Sequence, residues 1–232
     1  MDAATAVMRT SSQRIDSAAI NVANVSTPGF KRQLRPSDRS SDRADTRFDA
    51  ALTRLRVDLG AGKLTETGRP LDLAINGDGF FQLRAGDTLV YSRQGGFARD
   101  AEGRVVTPQG YALQQAGGGD LVLDTAAVSV AADGTVLDGD RPLGRIAVFQ
   151  AGGADDVTAV DGSIFEIGAD AATALDAPSL RQGALEASNV SLGNEMVGMM
   201  SALRGAETGA RLVQIYDDLM GKAISTFGQV GR

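Results

Sequence analysis

Residues 191–227 read SLGNEMVGMMSALRGAETGARLVQIYDDLMGKAISTF, and the spacing inside this stretch decides the fold. Leu192, Met196, Met199, Leu203, Ala206, Ala210, Val213, Met220, Ile224 and Phe227 alternate at four and three residues, with Asp217 the single charge in the register. That is the pattern of a coiled-coil seam. At about 1.5 Å per residue it predicts a rod roughly 55 Å long, more than a small domain needs. Gly193, Gly198, Gly205, Gly209 and Gly221 lie inside it, and each costs roughly 0.8–1 kcal/mol relative to Ala in a helix interior. The sum, on the order of 4–5 kcal/mol, makes the helix conditional on a partner, because isolated helices are marginal even without glycine. Small residues also let backbones approach closely, so the glycines read as a packing surface too. A long amphipathic helix laid on its own domain has the same spacing, and the stretch alone does not choose.

The N-terminus repeats the pattern. Ala4, Met8, Ser11, Ile15, Ala18 and Val22 form one stripe, with Ser11 its only polar member, and predict a second helix of about 30 Å. It ends at Asn24-Val25-Ser26-Thr27-Pro28-Gly29, where Pro28 cannot continue a helix and Gly29 permits a left-handed turn. The two coiled-coil segments therefore lie at opposite ends of the sequence and are candidate partners.

Between them the character changes twice. Lys31, Arg32, Arg35, Arg39, Arg43, Arg47, Arg54 and Arg56 mix with Asp38, Asp42, Asp45, Asp49 and Asp58, which reads as a solvated arm or a strap against a neighbouring subunit. Phe48, Leu52 and Leu55 would give it a short helix. Over 71–167 the period becomes two, with short runs at 71–75, 80–83, 88–92, 104–106, 111–113, 121–123, 128–130, 135–137 and 145–149. Asn76-Gly77, Asp78-Gly79, Glu102-Gly103, Asp133-Gly134 and Asp138-Gly139 separate them, pairs that suit tight hairpins. Residues 168–178 read as a loop, and Ser191 as the N-cap of the long helix. The expected class is α+β: terminal helices pairing as a coiled coil, with an inserted all-β domain. The expected segments are 1–30 helix, 31–66 charged arm, 67–182 β-rich domain and 183–232 helix.

Composition removes whole classes of chemistry. The 232 residues contain neither Cys nor His, so disulfides, thiolate catalysis, Ser-His-Asp machinery and the commonest zinc and iron ligands are excluded. A net charge of −6 argues against nucleic acid as the main partner. No apolar run reaches the roughly 18 residues of a membrane span, and the N-terminus lacks the basic-then-apolar layout of a cleaved signal. Asn76-Gly77-Asp78-Gly79 resembles a calcium loop, but Ala74 and Ala85 would occupy its first and last ligand positions. Asp155 with Asp156, or Asp217 with Asp218, could serve a glycosidase in principle; adjacent carboxylates are more often solvated. No phosphate loop, dinucleotide fingerprint or nucleophile elbow is present. The expectation is no catalytic residue, no cofactor, no metal and no small-molecule substrate.

Residues 17–31, SAAINVANVSTPGFK, resemble the N-terminal signature of the bacterial flagellar rod and hook proteins, an Asn-Leu-Ala-Asn-x-x-Thr-x-Gly-Phe pattern. Asn21, Ala23, Asn24, Thr27, Gly29 and Phe30 match it, and Val22 stands where Leu is commoner. The resemblance continues, in family order, through 68–81 (GRPLDLAINGDGFF), 91–97 (YSRQGGF), 100–103 (DAEG) and 183–190 (GALEASNV). Residues 131–136 (AADGTV) and 143–146 (LGRI) look most like the proximal-rod branch, with the distal rod the close alternative and the longer hook protein further off. The resemblance implies a structural subunit, carried by the flagellar type III export apparatus without a cleaved signal and assembled in the periplasm into the basal-body rod. Its partners would be other rod subunits and copies of itself, and its terminal helices would form an inner tube with the β-domain outside. Met8, Ile15, Val22 and the seam from Leu192 to Phe227 would then be the assembly interface. A carboxylate-dependent cell-wall glycosidase and a self-contained coiled-coil adhesin are the competing classes.

Overall fold

The computed structural model describes residues 2–34, 56–125 and 128–230, of which 2, 3 and 223–230 are described by their backbone only. The chain divides into two compact units, Met1–Ala23 with Ser191–Arg232, and Asn24–Val190. The first is a pair of helices, α1 (Asp2–Ala23) and α2 (Leu192–Val230). The second is built of strands. The α+β class follows, with the helices supplied by the two ends of the sequence and packed on each other.

The β unit is organised on one antiparallel sheet. Its strands run in the order Val157–Asp161, Ile164–Ile167, Thr88–Ser92, Phe80–Ala85, Ala112–Leu113, Val105–Val106 and Ala98–Arg99. Val148–Ala151 also pairs with Phe80–Ala85 and carries Ala172–Ala174 on its other side. Smaller pairings close the ends: Gln33–Leu34 with Arg56–Val57, Leu73–Ile75 with Leu180–Gln182, and Leu64–Glu66 with Ala184–Glu186. Ser129–Val130, Thr135–Asp138 and Arg141–Arg145 make a separate meander.

Successive side chains of Phe80–Ala85 point to opposite faces, and both faces are covered. Phe81 and Leu83 join a core with Leu113, Leu123, Val136 and Ile146, while Phe80 joins a second with Tyr91, Val157, Phe165 and Ile167. A chain this poor in aromatics concentrates them here. Phe80 meets Phe165 edge-on at 5.5 Å, Phe81 meets Phe97 at 5.4 Å, and Tyr91 meets Phe149 at 5.7 Å, the geometry that ring quadrupoles favour.

Four local expectations need correction. The segment 183–232, expected as helix throughout, opens with the strand Ala184–Glu186 in the β unit, because Gly183 at φ 71° turns the chain and α2 starts only at Leu192. Residues 76–79 do not close a hairpin: Leu73–Ile75 pairs with Leu180–Gln182, and Phe80–Ala85 pairs elsewhere, so this turn carries the chain between two sheets. Residues 168–178 contain the strand Ala172–Ala174; it lies on an edge with exposed or half-exposed side chains, so no apolar alternation marks it. Lys31, read as part of a solvated arm, is buried. Most of that arm, including Phe48, Leu52 and Leu55, lies outside the described residues. The two-residue hairpin at Gly139-Asp140, between Asp138 and Arg141, does follow the expected pattern, with Gly139 at φ 59°.

Candidate assembly surface

The helices run antiparallel. The Asn21 side-chain amide donates to Glu195 Oε2 at 3.2 Å near one end, and toward the other a Cβ on Gly209 would lie 2.6 Å from Met8 Cγ and 3.3 Å from the Ala4 carbonyl oxygen. Midway, a Cβ on Gly205 would lie 2.7 Å from Ser11 Oγ. Gly205 and Gly209 are thus the notch into which α1 fits. Gly193, Gly198 and Gly221 face open space.

The seam between the helices is made of small and polar groups. Ala4, Ser11, Ser17, Ala18 and Asn21 are buried on α1, and Glu195, Ala202 and Gly209 on α2. Met199, Ala206 and Val213 are half-buried between them. Positions 195, 199, 202, 206, 209 and 213 keep the four-three alternation, so α2 does carry a heptad seam toward α1. It shares Met199, Ala206 and Val213 with the apolar stripe read from the sequence, and replaces Met196, Leu203 and Ala210 by Glu195, Ala202 and Gly209.

The other large apolar residues of that stripe lie outside. Leu192 is 44% exposed, Met196 53%, Leu203 47% and Met220 60%, joined by Val197, Met200, Leu212, Ile215, Tyr216 and Leu219. Ala210 is half-buried. On α1, Met8 is exposed beside Val7, and Ile15 and Val22 are half-buried. The side chains of Ile224 and Phe227 lie outside the described residues. Because Ala4 lies against Gly209, α2 from about residue 214 runs past the start of α1, by roughly 25 Å at 1.5 Å per residue. Such a run of exposed apolar side chains marks an interaction surface.

Beyond α1, the β unit begins with a tight turn. Thr27 Oγ1 donates to Asn24 Oδ1 at 3.1 Å, and the Thr27 and Phe30 amides donate to the carbonyls of Asn24 and Thr27. Gly29 sits at φ 70°, and a Cβ there would lie 2.3 Å from the Arg93 carbonyl carbon; no other residue fits. Phe30 is fully buried. Asn189 ties the two crossings of the unit together, donating to the Asp58 and Gly60 carbonyls and accepting from the Arg32 amide at 2.7 Å.

Beneath this turn lies a buried charge cluster. Lys31 Nζ donates to Glu186 Oε1 at 2.6 Å, and Arg93 Nη1 to Glu186 Oε2 at 3.2 Å. Desolvation pushes the pKa of both cations down, against the pull of Glu186.

Comparison with known proteins accounts for these features together. A family model described as "Flagellar hook protein FlgE/F/G D1 domain" matches residues 74–137, and one described as "Flagellar basal body rod FlgEFG protein C-terminal" matches 181–226. The flagellar basal-body rod protein FlgF of Caulobacter vibrioides is 32% identical, over 94% of this chain and 93% of its own length. FlgF of Escherichia coli is 32% identical, over 93% and 94%. The chain belongs to the flagellar basal-body rod protein family. FlgG of Bacillus subtilis is 28% identical, over 94% and 95%, so both rod types are among its relatives.

As a rod-family structural subunit, the protein divides its signature between two tasks. Asn21 is a helix-pair residue through Glu195, whereas Asn24, Thr27, Gly29 and Phe30 build the turn that opens the β unit; Ala23 is exposed. Sequence reasoning missed Lys31, Arg93 and Glu186. The available signal was Glu186 alone between apolar neighbours in 183–187, a carboxylate where a short buried strand would otherwise be apolar.

Proposed function

We propose that this rod-family subunit is of the proximal type and that its helix pair is completed by neighbouring subunits, giving a shaft stiff enough to carry torque. The observation that carries the reading is the inversion of the helical unit. Its fully buried positions hold alanine, serine, glycine, Asn21 and Glu195, and most of its large apolar side chains face outward, with Met199 and Val213 half-buried. Burial of those side chains against other rod subunits would supply roughly 25 cal/mol per Å², offsetting the cost of ordering a glycine-containing helix. Delivery by the type III export apparatus without a cleaved signal, and a position in the periplasmic part of the basal body, belong to the same reading. So do the absence of nucleic acid and of any small-molecule substrate among its partners.

A structural role is favoured over carboxylate catalysis by where the carboxylates lie. Asp155 and Asp156 are exposed on a single 3-10 turn, with Arg56 paired to Asp155, and Asp217 and Asp218 are exposed on α2. Adjacent, exposed carboxylates of this kind differ from the pair set across a cleft that glycoside hydrolysis requires. The distal-rod alternative is kept by the FlgG relative that spans nearly the whole chain. Deleting the gene and imaging the basal body separates the two, since a truncation just above the export apparatus is expected here and loss of only the outer segment would favour the distal type.

The interface is tested by Leu203→Asp and Met196→Asp. Both residues are about half exposed, so the free chain should keep its β unit while rod assembly and swimming are lost. Normal swimming in both variants would overturn the interface.

A further inference from the structure

Glu186 joins segments from the beginning, middle and end of the β unit. Its Oε1 accepts from Lys31 Nζ at 2.6 Å and from the Gly62 amide at 2.7 Å, its Oε2 accepts from Arg93 at 3.2 Å, and its main-chain carbonyl accepts from the Gly29 amide at 2.8 Å. Lys31 and Glu186 are each 1% exposed and Arg93 is 3% exposed. The other hydrogen bonds of the cations go to carbonyls, Gly60 for Lys31 at 2.8 Å and Ile75 and Gly77 for Arg93 at 3.3 and 2.6 Å, and the Arg93 guanidinium lies over the Phe80 ring at 5.5 Å. Asp58 and Asp78 attract Lys31 and Arg93 respectively at longer range, and Glu186 is the carboxylate that hydrogen-bonds both cations.

The backbone seals the site. A Cβ on Gly62 would lie 1.8 Å from the Ala187 carbonyl oxygen, as the one on Gly29 would lie against Arg93. In the closed unit bulk water therefore cannot stand in for the carboxylate. A buried charge without its partner is strongly unfavourable, and two like charges in one site are worse.

The three groups come from the beginning, middle and end of the unit. Lys31 follows the opening turn, Arg93 follows the strand Thr88–Ser92, and Glu186 ends the last strand, Ala184–Glu186. We infer that Glu186 is a closure latch: the opening segment around Lys31 cannot dock on the sheet until the last strand brings the carboxylate that neutralises Lys31 and Arg93. The β unit closes from its C-terminal end, although its sheet is made from residues before that strand. For a chain delivered N-terminus first, residues 29–34 stay undocked until residue 186 has emerged; that consequence rests on the export reading above, whereas the latch itself does not.

The test follows refolding of the full chain from urea by pulsed hydrogen exchange. Three amides report: Asp58, which donates to Arg32; Ala187, which donates to Lys63; and Gln114, which donates to Gln82 within the sheet. The strand pair that precedes Asp58, Gln33–Leu34 with Arg56–Val57, makes no ladder bond to the last strand. The latch predicts that Gln114 is protected first and that Asp58 and Ala187 follow together. Protection of Asp58 ahead of Ala187 would overturn it. In Glu186→Gln, Asp58 should lose roughly 100-fold in protection with Gln114 unchanged; retained protection at Asp58 would contradict the proposal. The triple variant Lys31→Met, Arg93→Met, Glu186→Met removes the charges and keeps side-chain bulk, which guards against a Glu186→Gln chain that fails to fold. It should restore Asp58 protection and uncouple its timing from Ala187, and continued coupling would assign the order to packing and overturn the latch. Export and motility are not read here, so the rod reading and the latch stand or fall separately.

Discussion

The two units bury opposite kinds of surface. The β unit hides Phe81, Phe97, Phe165, Leu83 and Leu113 completely or nearly so. Among the described residues of the helical unit, the buried ones are Ala4, Ser11, Ser17, Ala18, Asn21, Glu195, Ala202 and Gly209. Hydrophobic burial is the dominant favourable term in folding, so one unit is finished within its own chain and the other is not. On the proposed reading the contrast assigns the tasks: the β unit contributes a self-sufficient fold, and the helices contribute the surface that neighbours would complete.

The contrast can be attacked first at its stronger side. Phe165→Ala empties a fully buried position in contact with Phe80 and should cost about 3–5 kcal/mol in urea unfolding of the β unit. A loss below about 1 kcal/mol would mean that this core is not what holds the unit.

Glycine substitutions sharpen the helical side. Gly209→Leu forces a large side chain against Met8 and the Ala4 backbone, and overpacking of this kind costs about 1–3 kcal/mol; helix content by circular dichroism should fall. Gly198→Ala meets open space and should stabilise α2 by about 0.8–1 kcal/mol. Equal responses at the two positions would remove the distinction between notch glycines and free ones.

The smallest effect is at the rim of the sheet. Arg84 Nε donates to Asp120 Oδ1 at 2.8 Å, with Gln114 at 2.7 Å on the same oxygen. The Arg84 hydrogen bond, with Gln114 adding to it, holds the Asp120 carboxyl below the usual carboxylate range against partial desolvation. A carboxyl whose folded pKa is depressed stabilises the fold above its unfolded value and loses that contribution as pH falls through the folded one. Asp120→Asn should therefore lower stability by about 0.2–1 kcal/mol at neutral pH, and the difference between the two proteins should vanish in acid below that range. A difference that persists unchanged there would assign the effect to shape rather than charge.

Much of this was legible in the sequence, and the failures share a cause. The stripe on α1 was placed in part, since Ala4, Ser11 and Ala18 are buried while Ser17 and Asn21, outside the stripe, are buried too and Met8 is exposed. On α2 the apolar spacing straddled the seam, sharing Met199, Ala206 and Val213 with it and otherwise following Leu192, Met196, Leu203 and Met220 on the outward face, because hydrophobic periodicity locates the largest apolar groups and most of those are held outside. The seam toward α1, built on Glu195, Ala202 and Gly209, is too small and polar to register. Edge strands such as Ala172–Ala174 were missed because only Ala172 packs on the core, and only in part. The Lys31, Arg93 and Glu186 cluster was missed because its members are 155 and 93 residues apart in sequence, and charge in a mixed-charge stretch reads as solvent-facing until its partner is located.

The central claim is that α2 is completed by neighbours, and hydrogen exchange along residues 214–222 tests it most directly, in the dilute full-length chain and again in assembled rods. These residues lie past the start of α1 and expose Ile215, Tyr216, Leu219 and Met220. The account predicts fast exchange in the dilute chain and strong protection after assembly, with sheet amides such as Gln114 protected equally in both. Protection of 214–222 in the dilute chain equal to that in the rod would contradict it.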